Sequence, residues 1–447
     1  MLSRFRCFCL LILLGCSAQA SQTAYITNFT SNTVSAISYD TNTVKATVTV
    51  GEGPSGVAVQ PDGTRVYVTN RTSASVSVID VASYTVIATI PVGTNPLGIA
   101  ISLDGTRLYV ANAGSNGLSV IDTATFRPPV NLPVGVTGLP VGPAPRGVAV
   151  RPDGALVYVT NSSSNAVSVI DPSINLEIAT IAVGAGPEGI TVSPDGSRLY
   201  VANSGGNSVS VIDTASNKVL SVIPVGAKPK GIAMYPNGAY VYVANEGSNT
   251  VSVIATANNK VVTVNVGVSP QGVAVNPAGS RVYAANNGSN TVSVIDASTN
   301  TLIATVPVGL GPVAFGQFIG PILPVATPTL TPPGGEFSLP QAVTISTATE
   351  GASIRYTTDG STPSGSQGNL IGSGQFVTLY STTNLQAIAF KEGWADSGVA
   401  QGKYTISTDG GGGGGCTLGP RAGVDPTLPG LFLLSLLYLW RQRRAAR

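Results

Sequence analysis

The chain has 447 residues, of which 10% are charged, with 53 glycines, 31 prolines, no histidine and a formal net charge of +2. The basic residues gather at the two ends, so residues 21–415 carry 16 Lys and Arg against 20 Asp and Glu, without the excess of positive charge that a nucleic-acid-binding protein needs. The four cysteines lie at positions 7, 9, 16 and 416. This distribution excludes Ser-His-Asp and Cys-His catalysis, His- or Cys-ligated metals and a disulfide framework between the ends. We predict no metal site and no cofactor.

Residues 1–20 are typical of a secretory signal peptide. Two arginines precede an apolar stretch, and Ala-Gln-Ala ends at Ala20, the predicted cleavage residue. The mature chain then begins at Ser21. An alternative interpretation makes Leu-Leu-Gly-Cys a lipoprotein signal, with Cys16 as the lipidated first residue. Both interpretations predict export from the cytoplasm.

A strand of the type Tyr-Val-Thr-Asn recurs along residues 24–286. Its tyrosine occupies positions 25, 67, 109, 158, 200, 242 and 283, in steps of 42, 42, 49, 42, 42 and 41. Each complete copy contains four predicted strands joined by Pro- and Gly-containing turns. A repeat of this length built from strands alone is typical of a β-propeller blade.

The incomplete copies at the two ends predict how the ring closes. The first copy, after Ser21, has a second, third and fourth strand but lacks a first strand. Residues 312–319 form a lone first strand after the last complete repeat. The two fragments together make one blade, so six complete copies and this composite predict seven blades. Closure of this kind leaves few exposed sheet edges.

The motifs YVTN, SNxVSVID and xVGxxPxG resemble the YVTN β-propeller family, which is related to secreted and surface-layer propellers. The resemblance covers residues 24–319. It implies a seven-bladed ring outside the cytoplasm, and it implies no single activity because one fold supports many functions.

Residues 326–408 lack the repeat and form a second unit. The segment IRYTTDGSTPS and the later strand ending in KYTI resemble the chitobiase/hexosaminidase C-terminal domain, a small Ig-like sandwich. Short alternating strands bounded by Pro and Gly indicate the same fold independently. The predicted class is therefore all-β, a seven-bladed β-propeller over residues 21–320 followed by a small Ig-like β-sandwich. A spacer role is favoured over carbohydrate contact, for which Trp394 is the candidate platform unless it packs in the sandwich.

The C-terminal end is predicted to be a sorting signal. A Gly-rich tether over residues 409–416 precedes the segment 417–447, in which 13 apolar residues (428–440) are followed by four arginines. As a helix the apolar run spans about 20 Å, less than the ~30 Å of a hydrocarbon core. The pattern resembles the bacterial GlyGly-CTERM and JDVT-CTERM signals, which implies that Cys416 is the processing or attachment residue. A permanent tail anchor is the alternative.

A candidate ligand site follows from comparing copies within the chain. The residue between Pro and Gly in xVGxxPxG differs in every copy, so it cannot be a requirement of the scaffold. Its occupants are Ser55, Leu97, Arg146, Glu188, Lys230, Gln271 and Val313. We predict a polar binding site at the propeller mouth formed by Arg146, Glu188, Lys230 and Gln271. Solvated variable loop positions are the alternative.

Two repeated polar positions are predicted to be structural instead. An Asn ends the second strand of every copy, where it can bond the local backbone. The ring consists of Asn28, Asn70, Asn112, Asn161, Asn203, Asn245 and Asn286. An Asp follows the third strand in five copies and is predicted to close a turn on the opposite face, at Asp80, Asp122, Asp171, Asp213 and Asp296.

The sequence predicts a secreted, surface-anchored and non-enzymatic protein that acts in binding, adhesion or as an envelope component, without catalytic residues. It is predicted to be a monomer whose partner is an extracellular protein or glycan, and to meet the membrane only through its C-terminal helix before processing. One alternative is a lactone-hydrolysing or oxidoreductase propeller, disfavoured because residues 21–320 contain neither His nor Trp. A structural surface-layer subunit is the other.

Overall fold

The computed structural model contains only strands, turns and loops in the part of the chain that it describes, which confirms the predicted all-β class. The described residues are 23–127, 139–319, 325–349, 351–391 and 396–407. The predicted signal peptide with Cys16 and Ala20, the candidate platform Trp394, and the tail with Cys416 lie outside these ranges. No helix in the described ranges is long and apolar enough to cross a membrane.

The first 27 strands form seven antiparallel sheets, one for each predicted blade. The sheet at the start of the chain has three strands, β1 Thr23–Asn28, β2 Thr33–Ser38 and β3 Thr43–Thr49. Six further sheets have four strands each: β4 Pro54–Val59, β5 Arg65–Asn70, β6 Ser75–Asp80 and β7 Thr85–Pro91; β8 Pro96–Ile101, β9 Arg107–Asn112, β10 Gly117–Asp122 and β11 Leu139–Pro140; β12 Pro145–Val150, β13 Val157–Asn161, β14 Ala166–Asp171 and β15 Leu176–Ala182; β16 Pro187–Val192, β17 Arg198–Asn203, β18 Ser208–Asp213 and β19 Lys218–Pro224; β20 Pro229–Met234, β21 Tyr240–Asn245, β22 Thr250–Ala255 and β23 Val261–Asn265; β24 Pro270–Val275, β25 Arg281–Asn286, β26 Thr291–Asp296 and β27 Thr301–Pro307.

Residues 312–319 complete the three-stranded sheet and close the ring. The Tyr25 N–H donates to the Phe318 carbonyl at 2.8 Å, and the Val313 N–H donates to the Thr27 carbonyl at 2.9 Å. On the other side, the Phe315 carbonyl accepts from the Val57 N–H of the next blade at 2.7 Å. Hydrogen bonds therefore join this last segment of the propeller to its first two blades, as the incomplete copies predicted. The segment makes isolated bridges and not the regular first strand that the sequence predicted.

The core lies between neighbouring blades. The second and third strands of each blade are buried on both faces, because each sheet is covered by a blade on either side. The tyrosine of the Tyr-Val-Thr-Asn strand is at most 3% exposed in all seven blades. Full burial of an aromatic side chain contributes about 1.5–3 kcal/mol, so packing of the repeated tyrosine stabilises each interface between neighbouring blades.

The second unit consists of two facing sheets. One is three-stranded, in the order β28 Thr329–Thr331, β30 Gln341–Ser346 and β33 Gln375–Leu379. The other is five-stranded, in the order β29 Gly335–Phe337, β35 Ala400–Ile406, β34 Thr383–Phe390, β31 Ser353–Thr357 and β32 Asn369–Ile371. Their inner faces form a separate hydrophobic core in which Phe337 stacks on the buried Tyr404.

Candidate active site at the mouth of the ring

The seven variable residues that follow the Pro of each copy meet around one cavity of about 270 Å³. In six copies a Gly comes next, and in the closing segment Ala314 follows Val313. Each lies at the start of the innermost strand of its blade, or in residues 312–319 for the composite blade. The complete set is Ser55, Leu97, Arg146, Glu188, Lys230, Gln271 and Val313. The structure thus brings all four predicted binding residues together with the three other members of the ring. We call this cavity the mouth.

Glycine follows the variable residue because adjacent inner strands approach very closely. A Cβ on Gly98 would lie 2.1 Å from the Arg146 carbonyl oxygen, and one on Gly147 would lie 2.5 Å from that of Glu188. Below these glycines the central channel narrows to a space of about 20 Å³, enough for about one water molecule. The mouth is therefore a cavity that is closed at its inner end by backbone and apolar side chains.

The charged groups of the mouth are close together but incompletely paired. The guanidinium of Arg146 lies 3.9 Å from the carboxylate of Glu188, too far for a hydrogen bond, and the Glu188 side chain is 11% exposed. On the other side, Lys230 lies 3.7 Å from Glu246, which also accepts a 3.1 Å hydrogen bond from Gln271. No described residue donates a hydrogen bond to the Glu188 carboxylate, and the Arg146 Nε is buried without a partner in the described structure. Such groups are available to a polar ligand.

The backbone of Glu188 is fixed by a hydroxyl from the neighbouring blade. The Thr160 hydroxyl donates to the Glu188 carbonyl at 2.6 Å and accepts from the Gly147 N–H at 2.8 Å. Thr27 and Thr69 make the same link between other blades, whereas the remaining four blades have Ala at this position. The carboxylate is thereby attached to a rigid strand.

A second variable ring contributes to the mouth and was not predicted. It is the residue directly after each repeated Asn, and three of its members line the cavity: Phe29, Arg71 and Asn287. A fourth member, Glu246, holds Lys230 and Gln271. The comparison of copies that found the first ring could have found this one, because its occupant also varies: only Ser162 and Ser204 are alike among the seven copies.

The repeated Asn residues lie apart from the cavity. All seven are at most 1% exposed, and their side-chain amides donate to hydroxyls of the following strand, as Asn70 does to Ser75 at 3.0 Å and Ser77 at 2.9 Å. None of the seven lines the mouth. The predicted bond to local backbone is therefore wrong: the amides bond side-chain hydroxyls, and the side-chain oxygens are buried without a partner in the described structure.

The repeated Asp residues close turns on the opposite face. Asp80 accepts hydrogen bonds from both the hydroxyl and the N–H of Ser83, and these bonds lower the pKa of its carboxyl. The pKa is lowered by equivalent bonds at Asp122, Asp171, Asp213 and Asp296. In the part of the chain that the structure describes, no three Asp, Glu, His or Cys side chains come together as a metal site.

Two family models match the sequence. The model described as "Lactonase, 7-bladed beta-propeller" matches residues 16–125 and 139–264. The model described as "Chitobiase/beta-hexosaminidase C-terminal domain" matches residues 332–401, which confirms the predicted resemblance of the second unit. The finer assignment to YVTN repeats and the resemblance of the tail to sorting signals stay predictions. No curated protein sequence matches the chain at a significant level.

Solved structures with similar folds are propellers of varied description. Hydrazine synthase from Kuenenia stuttgartiensis is 27% identical, with a TM-score of 0.54 over 59% of this chain and 88% of that one. A protein of unknown function from Desulfotomaculum acetoxidans is 19% identical, with a TM-score of 0.56 over 66% of this chain and 100% of that one. A protein suggested to be a 6-phosphogluconolactonase from Bacteroides uniformis is 19% identical, with a TM-score of 0.55 over 66% and 98%. At 19% identity the likeness concerns the fold alone.

Proposed function

The chain belongs to the lactonase family of seven-bladed β-propellers, and from this membership we propose that its mouth hydrolyses the ester bond of a small lactone. The observation that carries the proposal is the Glu188 carboxylate, nearly buried in the mouth and without a hydrogen bond from any described residue. It faces a cavity that also contains the cationic groups of Arg71, Arg146 and Lys230. A carboxylate base beside cations can catalyse ester hydrolysis, because the base activates water and the cations stabilise the charge that develops on the carbonyl oxygen.

Family membership overturns the prediction that this protein is not an enzyme. That prediction relied on the absence of His from the whole chain and of Trp from the propeller. His is one general base among several, and a carboxylate on a rigid strand can replace it when cations stabilise the transition state. The absence of one residue type therefore excluded particular mechanisms and did not exclude catalysis.

In the proposed reaction, Glu188 accepts a proton from a water molecule as the water oxygen bonds to the lactone carbonyl carbon. The negative charge that develops on the carbonyl oxygen is stabilised by Arg146 or Lys230, which lie on the blades before and after Glu188. The ring C–O bond then breaks, and Glu188 returns its proton to the departing ring oxygen. The second proton of the water stays on the new carboxyl group, which ionises and releases it to solvent. The products are therefore a hydroxyl, a carboxylate and one proton, and no cofactor is needed for the balance of atoms and electrons.

The cavity favours a small, polar substrate. Its volume of about 270 Å³ suits a single ring, and Ser55, Gln271 and Asn287 offer hydrogen bonds to ring hydroxyls. The excess of cations over carboxylates favours a substrate with an acidic substituent. We propose a sugar-acid lactone as the class. We also propose, from the predicted signal peptide and tail, that the protein acts at the cell surface.

Hydrolysis of a panel of sugar-acid lactones by the full-length chain tests this function, with acid release followed in weakly buffered indicator solution. We expect at least one lactone to be opened faster than in buffer. Glu188→Gln should reduce kcat by about 10²–10⁴-fold, because it keeps the shape of the side chain and removes the base.

Glu177→Gln is the matched control, because Glu177 lies on an outer strand, where it accepts a hydrogen bond from Thr180 far from the mouth. It should leave kcat unchanged. Failure of the wild-type protein to open any lactone would overturn the function. Equal turnover by the wild type and Glu188→Gln would overturn the assigned base and leave the function standing.

A further inference from the structure

The second unit has an exposed sheet face that combines hydroxyl groups with aromatic side chains. In its three-stranded sheet, Val343, Ile345 and Leu379 point into the core and are almost fully buried. Side chains alternate along a strand, so the intervening residues point outward. The outward set is Thr329, Thr331, Ala342, Thr344, Ser346, Phe376 and Thr378. Among the residues that the structure describes, this face carries no charged side chain.

Strand register arranges these residues in rows. Thr331 pairs with Thr344, and Thr344 pairs with Phe376, so one row across the sheet contains two hydroxyls and an aromatic ring. Thr378 occupies the next row beside Ala342. The hydroxyls of Thr331, Thr344 and Thr378 make no hydrogen bond to any described residue. They remain available as donors and acceptors to a ligand.

Two aromatic side chains are exposed along this face. Phe376 on the edge strand is 63% exposed, and Tyr380, one residue beyond that strand, is 72% exposed. They are four residues apart, which places them on the same side of an extended chain with their Cα atoms about 13 Å apart. Large aromatic side chains this exposed are characteristic of binding surfaces.

We propose that this face binds a neutral polysaccharide. Sugar rings present C–H groups on their faces, which pack on aromatic rings through dispersion, and hydroxyls at their edges, which match the row of threonines. Because the Cα atoms of Phe376 and Tyr380 lie about 13 Å apart, a single sugar ring does not suit both side chains at once, which favours a polymer as the ligand. The lack of charge disfavours an acidic polymer, and the interruption of apolar area by hydroxyls disfavours the apolar centre of a protein interface.

Co-sedimentation of the full-length chain with insoluble chitin, cellulose and xylan tests the proposal, with polygalacturonate gel as the charged comparison. We expect retention on at least one neutral polymer and none on the charged gel. Phe376→Ala with Tyr380→Ala should weaken that retention at least tenfold. Both side chains are exposed, so the fold should persist, as circular dichroism would show.

Leu370→Ala is the matched control, because Leu370 is equally exposed, at 63%, but lies on an edge strand of the other sheet. It should bind as the wild type does, and so should Glu188→Gln, since this site is independent of the mouth. Equal retention of wild type and double variant, or no retention on any neutral polymer, would overturn the proposal. A double variant that changed only the oligomeric state would assign the face to self-association instead.

Discussion

The Asn repeated in every blade and the first glycine of the xVGxxPxG loop that enters the same blade form one structural unit. A Cβ on Gly226 would lie 2.6 Å from the Cγ and Nδ2 of Asn245. That amide donates to Thr250 at 3.1 Å and to Ser252 at 2.9 Å, so it cannot move aside without losing both bonds. The same contact recurs for the pairs Gly51 and Asn70, Gly93 and Asn112, Gly142 and Asn161, Gly184 and Asn203, Gly267 and Asn286, and Gly309 and Asn28. Each residue therefore requires the other.

A double-mutant cycle on Gly226 and Asn245 measures this dependence. Gly226→Ala should destabilise the propeller by about 2 kcal/mol through overpacking, and Asn245→Ala by about 2 kcal/mol through lost hydrogen bonds and a cavity. The double variant should cost less than the sum, because truncation of the Asn245 side chain vacates the space that the new methyl needs. Denaturant unfolding gives all three values. Additive effects would contradict the pairing.

The loop between the second and third strands of the second blade lacks an Asn that the other six blades have. In six blades an Asn in the left-handed conformation occupies this loop, and its side-chain oxygen accepts an N–H from the next loop on the same face, as Asn207 does from Lys228 at 2.9 Å. The equivalent residue in the second blade is Ala74, with φ of 48°. The left-handed conformation is strained for Ala, and the Ala side chain cannot accept the hydrogen bond that Asn accepts in the other blades.

Ala74→Asn should therefore stabilise the propeller by about 1 kcal/mol, since Asn tolerates the left-handed region and can accept from the Asn95 N–H. The shift of the denaturation midpoint measures this gain. Asn207→Ala is the reciprocal variant and should lose a similar amount. A destabilised Ala74→Asn protein would show that the loop of this blade differs in a way that its backbone conformation does not reveal.

The outer strands show what periodicity could and could not predict. In five of them, β3, β7, β15, β19 and β27, the register shifts by one residue, and the extra residue, such as Leu220 in β19 or Ile303 in β27, is unpaired. Strand β23 lacks the shift, which explains why the sixth repeat is 41 residues long. Sequence spacing located the deletion within one blade. It could not show whether the missing residue belongs to the bulge or to the neighbouring turn. A bulge depends on strand pairing, which the spacing does not reveal, and the turn of this blade also differs, with Ala255 in place of Asp.

The mouth was predictable in part for a similar reason. Because every blade repeats the same backbone, one position per copy identifies a whole ring, and Arg146, Glu188, Lys230 and Gln271 were placed together correctly. The contact of Glu246 with Lys230 joins two different loop positions, and such a contact depends on loop conformation rather than on the period. A sequence repeat therefore predicts rings better than it predicts the links between them.

At the scale of the whole molecule, the seven buried tyrosines predict how the ring fails in alkali. Burial raises the pKa of every one, to about 12 for Tyr242 and Tyr283, mainly because the ionised phenol would lose its hydration. An unfolded tyrosine has a pKa of about 10. The neutral phenols therefore stabilise the fold fully below pH ~10, and this contribution is lost as the pH rises toward 12.

We expect the tyrosine absorbance of the ring at 295 nm to stay low above pH 10 and then to rise together with the loss of the strand signal in circular dichroism. Tyr242→Phe should move this transition to higher pH and change stability at pH 7 little, because the Tyr242 hydroxyl has no hydrogen-bond partner in the described structure. Tyr67→Phe should lose about 1 kcal/mol at pH 7, because that hydroxyl donates to Gln60 at 2.9 Å. Ionisation of all tyrosines by pH 10.5 with a native strand signal would contradict this prediction. It would show that hydroxide reaches the interfaces between blades and that packing there does not depend on neutral phenols.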